Sequence, residues 1–200
     1  MTVTRYLAGA LVGALSMSAL ASEVNVYSAR QDALIVPLLE QFEADTGIEV
    51  NLITGKAGGL LSRMQSEGAA SPADVLITVD AGNLHRAKEA GVVQTIQSDV
   101  LESRIPETLR DPEMQWVGLT KRARTIFYAK DRVDPATLST YENLVDDQWD
   151  GRICIRSSSN VYNQSLVASL IEVHGEEATE EWARGMVANM ARKPTGGDTD

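Results

Sequence analysis

The chain has 200 residues, with 28 acidic side chains against 18 Lys and Arg and a formal net charge of -10. This acidic balance argues against binding to nucleic acid or to an anionic membrane, since both need a basic face. The lone cysteine, Cys154, excludes an internal disulfide and any cysteine-based zinc site, and its β-branched surroundings predict a core-packing role. The two histidines, His85 and His174, lie on separate helix-like segments without metal-ligand spacing and read as surface residues.

In chain order, residues 1–21 come first. A short polar start with Arg5 leads into an apolar run from Leu7 to Leu15, then Ala19-Leu20-Ala21. The run is too short for a membrane span and has the small-residue pattern of a secretory cleavage site, so a signal peptide cut after Ala21 is expected. With no cysteine at that site, a lipoprotein is not expected. Losing Arg5 makes the mature chain more acidic still.

Glu23 to Ser28 reads as a strand, followed by a helix over about Asp32 to Thr46 with Leu34, Leu38, Leu39 and Phe42 on one face and Asp32 as its cap. Gly47 closes it, and residues 48–53 alternate as the next strand. A helix over Leu60 to Glu67 ends at Gly68. The turn Ser71-Pro72-Ala73-Asp74 then leads to a continuous apolar strand, Val75 to Val79, which predicts burial on both faces. A helix through Leu84, Ala87 and Ala90 stops at Gly91. This βαβαβα order predicts a parallel sheet.

The rhythm loosens after Val92. Pro106 and Pro112 precede Trp116 to Leu119, then Lys121-Arg122-Ala123-Arg124 and a predicted long strand from Thr125 to Lys130. A short helix over Leu138 to Leu144, a turn at Trp149-Asp150-Gly151, a strand over Arg152 to Ile155 and helices over Gln164 to Glu172 and Glu177 to Met190 complete the pattern. Lys193 to Asp200 reads as a turn and a helix N-cap with no helix after it, so the chain is expected to be a truncated one. A boundary near Thr120 to Thr125, where an extended segment crosses over, divides the chain into the signal peptide (1–21), an N-terminal α/β lobe (22–120) and a partial C-terminal α/β lobe (121–200). The expected fold is α/β, two-lobed and type II-like, with its second lobe incomplete.

The most informative segment is Arg156-Ser157-Ser158-Ser159-Asn160-Val161-Tyr162-Asn163-Gln164-Ser165. A strand that ends in hydroxyl residues and an Asn, then turns into a helix, presents free backbone N–H groups to an anion. Tyr162 at the mouth of such a site could set a phenolate beside the anion, an oxygen-rich shell for a cation such as ferric iron. The alternative is a polar βα loop whose tyrosine packs sideways. A hydrolase is not expected, because there is no G-x-S-x-G elbow and neither histidine sits in a recognisable triad context. Gly55-Lys56 lacks the spacing of a phosphate loop. Two lobes joined by crossing segments suggest a solute-binding protein that closes by a hinge.

The sequence resembles the periplasmic ferric-iron-binding proteins of ABC importers, including the cyanobacterial iron-uptake proteins. The words that carry the resemblance are residues 26–30 (VYSAR), 42–50 (FEADTGIEV), 71–75 (SPADV), 120–124 (TKRAR), 138–142 (LSTYE) and, with most specificity, 156–170 (RSSSNVYNQSLVASL). The resemblance implies ferric iron bound between the lobes, largely by tyrosines. One matches Tyr162, and a tandem Tyr-Tyr pair comes from sequence this chain does not contain. Where some relatives place His or His-Tyr, this chain has Gln31 and Asp32, and where some place a Glu ligand it has Val79 followed by Asp80. The subclass implied uses tyrosines with a synergistic anion, carbonate, held by Arg30 first or by Arg122 or Arg124, with Ser157, Ser159, Asn160 and Gln164 as further donors.

The chemistry agrees with that implication. A metal lowers a phenol's pKa from about 10, and a guanidinium fork matches a planar carbonate. Tyr27 and Tyr128 read as packing residues, and Asp32 remains open as a metal ligand. Arg30 could instead pair with the acidic surface, and on a strand only one of Arg122 and Arg124 would face the cleft. The expected partners are ferric iron and an inner-membrane ABC permease, in the periplasm, with a monomeric protein, no nucleic acid and no membrane insertion after signal cleavage. An oxyanion or small organic solute such as sulfate, phosphonate or thiamine is the competing ligand, with no enzyme activity under either reading.

Overall fold

A computed structural model of the chain describes residues 22–196. The signal-peptide expectation for residues 1–21 and the terminal cap signals at Asp198 and Thr199 lie outside the described residues. None of the described helices is long and apolar enough to cross a membrane.

The first half follows the predicted alternation. Strand β1 (Glu23–Ser28) leads into α1 (Asp32–Thr46), β2 (Glu49–Thr54), α2 (Ala57–Glu67), β3 (Val75–Ile77) and α3 (Ala81–Glu89). The three strands form a parallel sheet in the order β2-β1-β3, so the first strand is central. Register runs from Glu23 opposite Glu49 to Ser28 opposite Thr54, and from Val26 opposite Val75 to Ser28 opposite Ile77. The core forms where α2 covers the sheet: Tyr27, Leu60 and Met64 are buried together, with Ile53, Leu76 and Val92 packed around them. Tyr27 is fully buried and its hydroxyl donates to Glu67 at 2.9 Å, so it is a packing residue as expected.

Several expectations need correction. In α1 it is Ile35 that is buried, while Leu34 and Leu38 are 58% and 62% exposed. The helix begins with Asp32 in its first turn and Gln31 at the N-cap position, so Asp32 is not the cap. β3 stops at Ile77 and Val75 is 41% exposed, which means the strand is covered on one face only.

Beyond α3 the chain is irregular. A helix that the sequence reading missed, α4 (Asp99–Arg104), is capped by the Ser98 hydroxyl accepting from Leu101 N. Buried Asp111 then pins the following loop: its carboxylate takes Lys88 Nζ at 2.8 Å and the backbone N–H groups of Glu113 and Gln115 at 3.2 Å each. Residues 125–130 form no strand and pair with none among the described residues, and Phe127 is 92% exposed. The predicted helix over Leu138 to Leu144 is replaced by two short 3-10 turns, Pro135–Thr137 and Glu142–Val145. The predicted strand over Arg152 to Ile155 is reduced to single parallel bridges, Ile153 to Met190 and Arg156 to Thr195, and Cys154 is exposed rather than core. The final helices are α5 (Val161–His174) and α6 (Glu176–Ala188), packed on each other and on the Glu142–Val145 turn. His85 and His174 are exposed, the latter paired with Glu142 at 3.0 Å.

Candidate metal and anion site

In an open parallel α/β sheet, ligands gather outside the carboxyl ends of the strands, where loops and helix N-termini meet. Here that edge carries Ser28, Thr54 and Ile77, and the helices α1, α2 and α3 start just beyond it. Fully buried Ser28 accepts a hydrogen bond from Arg30 N at 3.1 Å, and Ala29 N donates to Ile77 O at 2.8 Å, so the turn that carries Arg30 is held against the sheet edge. Arg30 is half-buried, and its guanidinium takes no hydrogen-bond or ion-pair partner among the described residues. The alternative, pairing with the acidic surface, is therefore not formed among the described residues.

The second component is the start of α5. Asn160 is its N-cap, with Oδ1 accepting from Tyr162 N at 3.0 Å. That cap sets the helix start at Val161, three residues earlier than predicted, and places Tyr162 in the first turn. Asn163 is buried: Nδ2 donates to Arg156 O at 2.6 Å, and Oδ1 accepts from Arg124 Nη1 at 3.2 Å. The serine loop folds on itself, with Ser157 Oγ and Ser159 Oγ 3.0 Å apart and Ser159 N donating to Ser157 Oγ at 3.2 Å.

Tyr162 is half-buried inside a fan of cations. Arg122 Nη2 donates to its phenol oxygen at 2.5 Å. The guanidinium carbons of Arg122, Arg156 and Arg124 lie 5.0, 5.3 and 5.9 Å from its ring centroid. Because residues 120–128 do not form a strand, Arg122 and Arg124 both reach α5, and the expectation that only one could face this site does not hold. The tyrosine does not pack sideways into a core. Positive charge instead collects around an oxygen at a helix N-terminus, where the peptide dipoles add to it.

The structure brings together Arg122, Tyr162, Ser157, Ser159 and Asn160. Gln164 lies alongside but is occupied, with Oε1 accepting from Arg86 at 2.5 Å and Nε2 donating to Ser158 O at 3.1 Å. Tyr128, 40% exposed, makes no described contact with Tyr162, and Val79 offers only its carbonyl, to Asn83. Among the described residues no three His, Cys, Asp or Glu side chains cluster so as to hold a metal.

Sequence reasoning missed two participants. Asn163 was legible as a polar residue on an apolar helix face. Asp80 reads in the sequence only as the residue after Val79, but it is the N-cap of α3 with φ 69 and ψ 136, a backbone region that costs a non-glycine residue about 1–3 kcal/mol. Its Oδ1 accepts from Gly82 N at 2.8 Å and from Ser165 Oγ at 2.6 Å, joining the sheet edge to α5.

A sheet edge facing a cation-lined helix start is the architecture of a binding protein. The sequence profile of the bacterial extracellular solute-binding proteins matches residues 70–197, and the chain belongs to that family. Iron uptake protein A1 of Synechocystis is 57% identical over 177 residues, covering 88% of this chain and 49% of that protein. A Trichodesmium protein (FutA, or IdiA), solved in complex with iron and citrate ligands, superposes with a TM-score of 0.84 at 54% identity, over 89% of this chain and 56% of that one. A ferric binding protein from Campylobacter jejuni superposes with a TM-score of 0.81 at 40% identity, over 88% and 56%. The chain spans about half the length of the curated relatives it matches. It has the α/β fold of these two-lobed proteins, with only part of the second lobe within its 200 residues.

Proposed function

We propose that the protein captures ferric iron in the periplasm, with carbonate as a synergistic anion, and delivers it to an inner-membrane ABC permease. Residues 22–120 form the first lobe and 121–200 the beginning of the second. Tyr162 is an iron ligand, and Arg30, Arg122, Ser157, Ser159, Asn160 and Gln164 line the anion side.

The observation that most supports this reading is the Tyr162 phenol oxygen at the start of α5, taking a hydrogen bond from Arg122 with two further guanidinium groups over its ring. Ferric iron is a hard cation and prefers anionic oxygen, and a phenolate supplies it. Binding converts the phenol to a phenolate and releases its proton. Arg122 occupies the oxygen the metal needs, so on iron capture it moves off and its planar fork takes the carbonate instead. Arg30, held at the sheet edge without a partner among the described residues, is suited to grip the same anion from the other lobe. Asn160 and the Ser157–Ser159 pair keep the α5 start in place; because Asn160 already takes the N–H groups of Tyr162, Asn163 and Gln164, the anion is offered side-chain donors there rather than free backbone N–H groups. One tyrosine does not complete a ferric shell, and the family resemblance implies that a further tyrosine pair completes it.

Titration of metal-stripped, full-length protein tests the proposal. Ferric citrate is expected to bind and to produce a visible phenolate-to-iron band, while sulfate, phosphonate and thiamine are not. Saturable binding of sulfate, phosphonate or thiamine with no visible band would replace iron with that solute.

A further inference from the structure

The first turn of α3 lies against the start of α5. Asp80, at the N-cap of α3, reaches Ser165 of α5 across 85 residues of sequence, at 2.6 Å. A Cβ added at Gly82 would stand 3.0 Å from Asp80 Oδ1, 3.4 Å from Val161 Cγ2 and 3.5 Å from Ser165 Oγ, so the two helix starts are in van der Waals range. In the last turn of α3, Arg86 donates to Gln164 of α5 at 2.5 Å. Two helix N-termini brought together place like partial positive charges against each other. The Asp80 carboxylate lies between them, accepting from the backbone of one helix and the side chain of the other. It does so from a positive-φ conformation that a non-glycine residue adopts only where its surroundings hold it there.

We propose that Asp80 is a positioning residue for the metal site, and that Asp80 with Ser165, backed by Arg86 with Gln164, forms an inter-lobe clasp that closes over bound iron and must break for its release. The proposal rests on the ferric-capture reading. Ser165 stands one helical turn after Tyr162, so fixing it fixes the depth and direction at which Tyr162 enters the cleft. Asp80 itself contributes no atom to the metal. Its carboxylate offsets the positive charge that the α5 N-terminus and the arginines gathered around it, Arg122, Arg124 and Arg156, bring toward the sheet edge. Loss of the clasp is therefore expected to raise the rate of iron release while leaving the ligand set unchanged.

The test uses the full chain with Asp80→Asn, which keeps the side-chain shape and tolerates positive φ, and with Ser165→Ala. Iron release to a competing chelator is followed by the decay of the visible band. Each variant is expected to release iron roughly tenfold faster, in line with the loss of a hydrogen bond to a charged group. The double variant should be no faster than either single one, with the band wavelength and the thermal midpoint of the metal-free protein unchanged. A purely structural role would lower the midpoint without this non-additive effect on release, and would overturn the proposal, as would wild-type release rates in both variants. Deuterium uptake by the amides of residues 161–165 in metal-free protein gives a reading independent of iron. Faster uptake in both variants supports the clasp even if no visible band forms, and unchanged uptake there counts against it. A missing band in the wild type would instead remove the ferric reading itself.

Discussion

Arg122 and Tyr162 are joined by a 2.5 Å hydrogen bond from guanidinium to phenol oxygen, across 40 residues of sequence, and the bond sits at the N-terminus of α5. This arrangement gathers cations around the one oxygen that the iron reading needs. In the proposed reading, Arg122 guards that oxygen when the site is empty and turns to the anion when it is filled.

Replacing Arg122 by Gln removes the charge and the fork. The variant is expected to bind iron but to hold carbonate roughly 10- to 100-fold more weakly, the range for a lost charge-assisted hydrogen bond. The dependence of the visible band on added bicarbonate measures this, and an unchanged dependence would assign the anion to Arg30 or Arg124.

Asn163 is buried and joins Arg124 to the carbonyl of Arg156, so Asn163→Ala leaves both without that partner. An unsatisfied buried group costs about 1–3 kcal/mol, and a fall of that size in unfolding free energy is expected from urea titration. No change would mean that water replaces the amide without loss.

Gly185 in α6 faces Val145, whose Cβ would stand 2.7 Å from a new Cβ. Ala gains about 0.8–1.0 kcal/mol over Gly in a helix interior, while overpacking costs about 1–3 kcal/mol. Overpacking should win, and Gly185→Ala is expected to lower the thermal midpoint.

Glu67, Asp111 and Tyr27 are among the groups that give stability a pH dependence. Arg63, then Ser71 and Tyr27, hold Glu67 below its ordinary value of 4.5. Burial alone would raise Asp111, but Lys88 and the backbone N–H groups of Gln115 and Glu113 outweigh it and hold it below 3.8. A depressed folded-state value stabilises the fold above the ordinary value and ceases to do so as pH falls through the depressed one. The thermal midpoint should therefore drop as pH falls below about 4.5, and Asp111→Asn should flatten that acid limb. Tyr27 is raised above 10.0, by burial and then by Glu67. Its contribution is complete below that value and is lost as pH rises through the raised one, which gives a second decline above pH 10.

The first half of the fold was legible because its signals are local. Alternating apolar residues and the glycines at 47 and 68 delimit the elements from β1 to α2, and nothing distant overrides them. Residues 125–130 carry strand-forming Thr, Ile, Phe and Tyr, yet strand propensity is realised only against a neighbouring strand, and none is present among the described residues. Ile153 and Ile155 fail for the same reason, since a single bridge to Met190 is not a ladder. At the candidate site, Tyr162 could be read at a loop-to-helix turn because its chemistry lies within one segment, although the sequence reading makes Asn160 a donor rather than a cap and places the helix start three residues late. The arginine fan and the Asp80 contact could not, because they depend on which distant residues the fold brings to α5.

The central claim is that Tyr162 ligates ferric iron, and visible absorption of iron-loaded full-length protein, wild type against Tyr162→Phe, tests it most directly. The account predicts a phenolate-to-iron band in the wild type that is lost or shifted in the variant, together with weaker iron binding. The same band in both proteins, at the same wavelength and intensity, would remove Tyr162 from the metal site and contradict it.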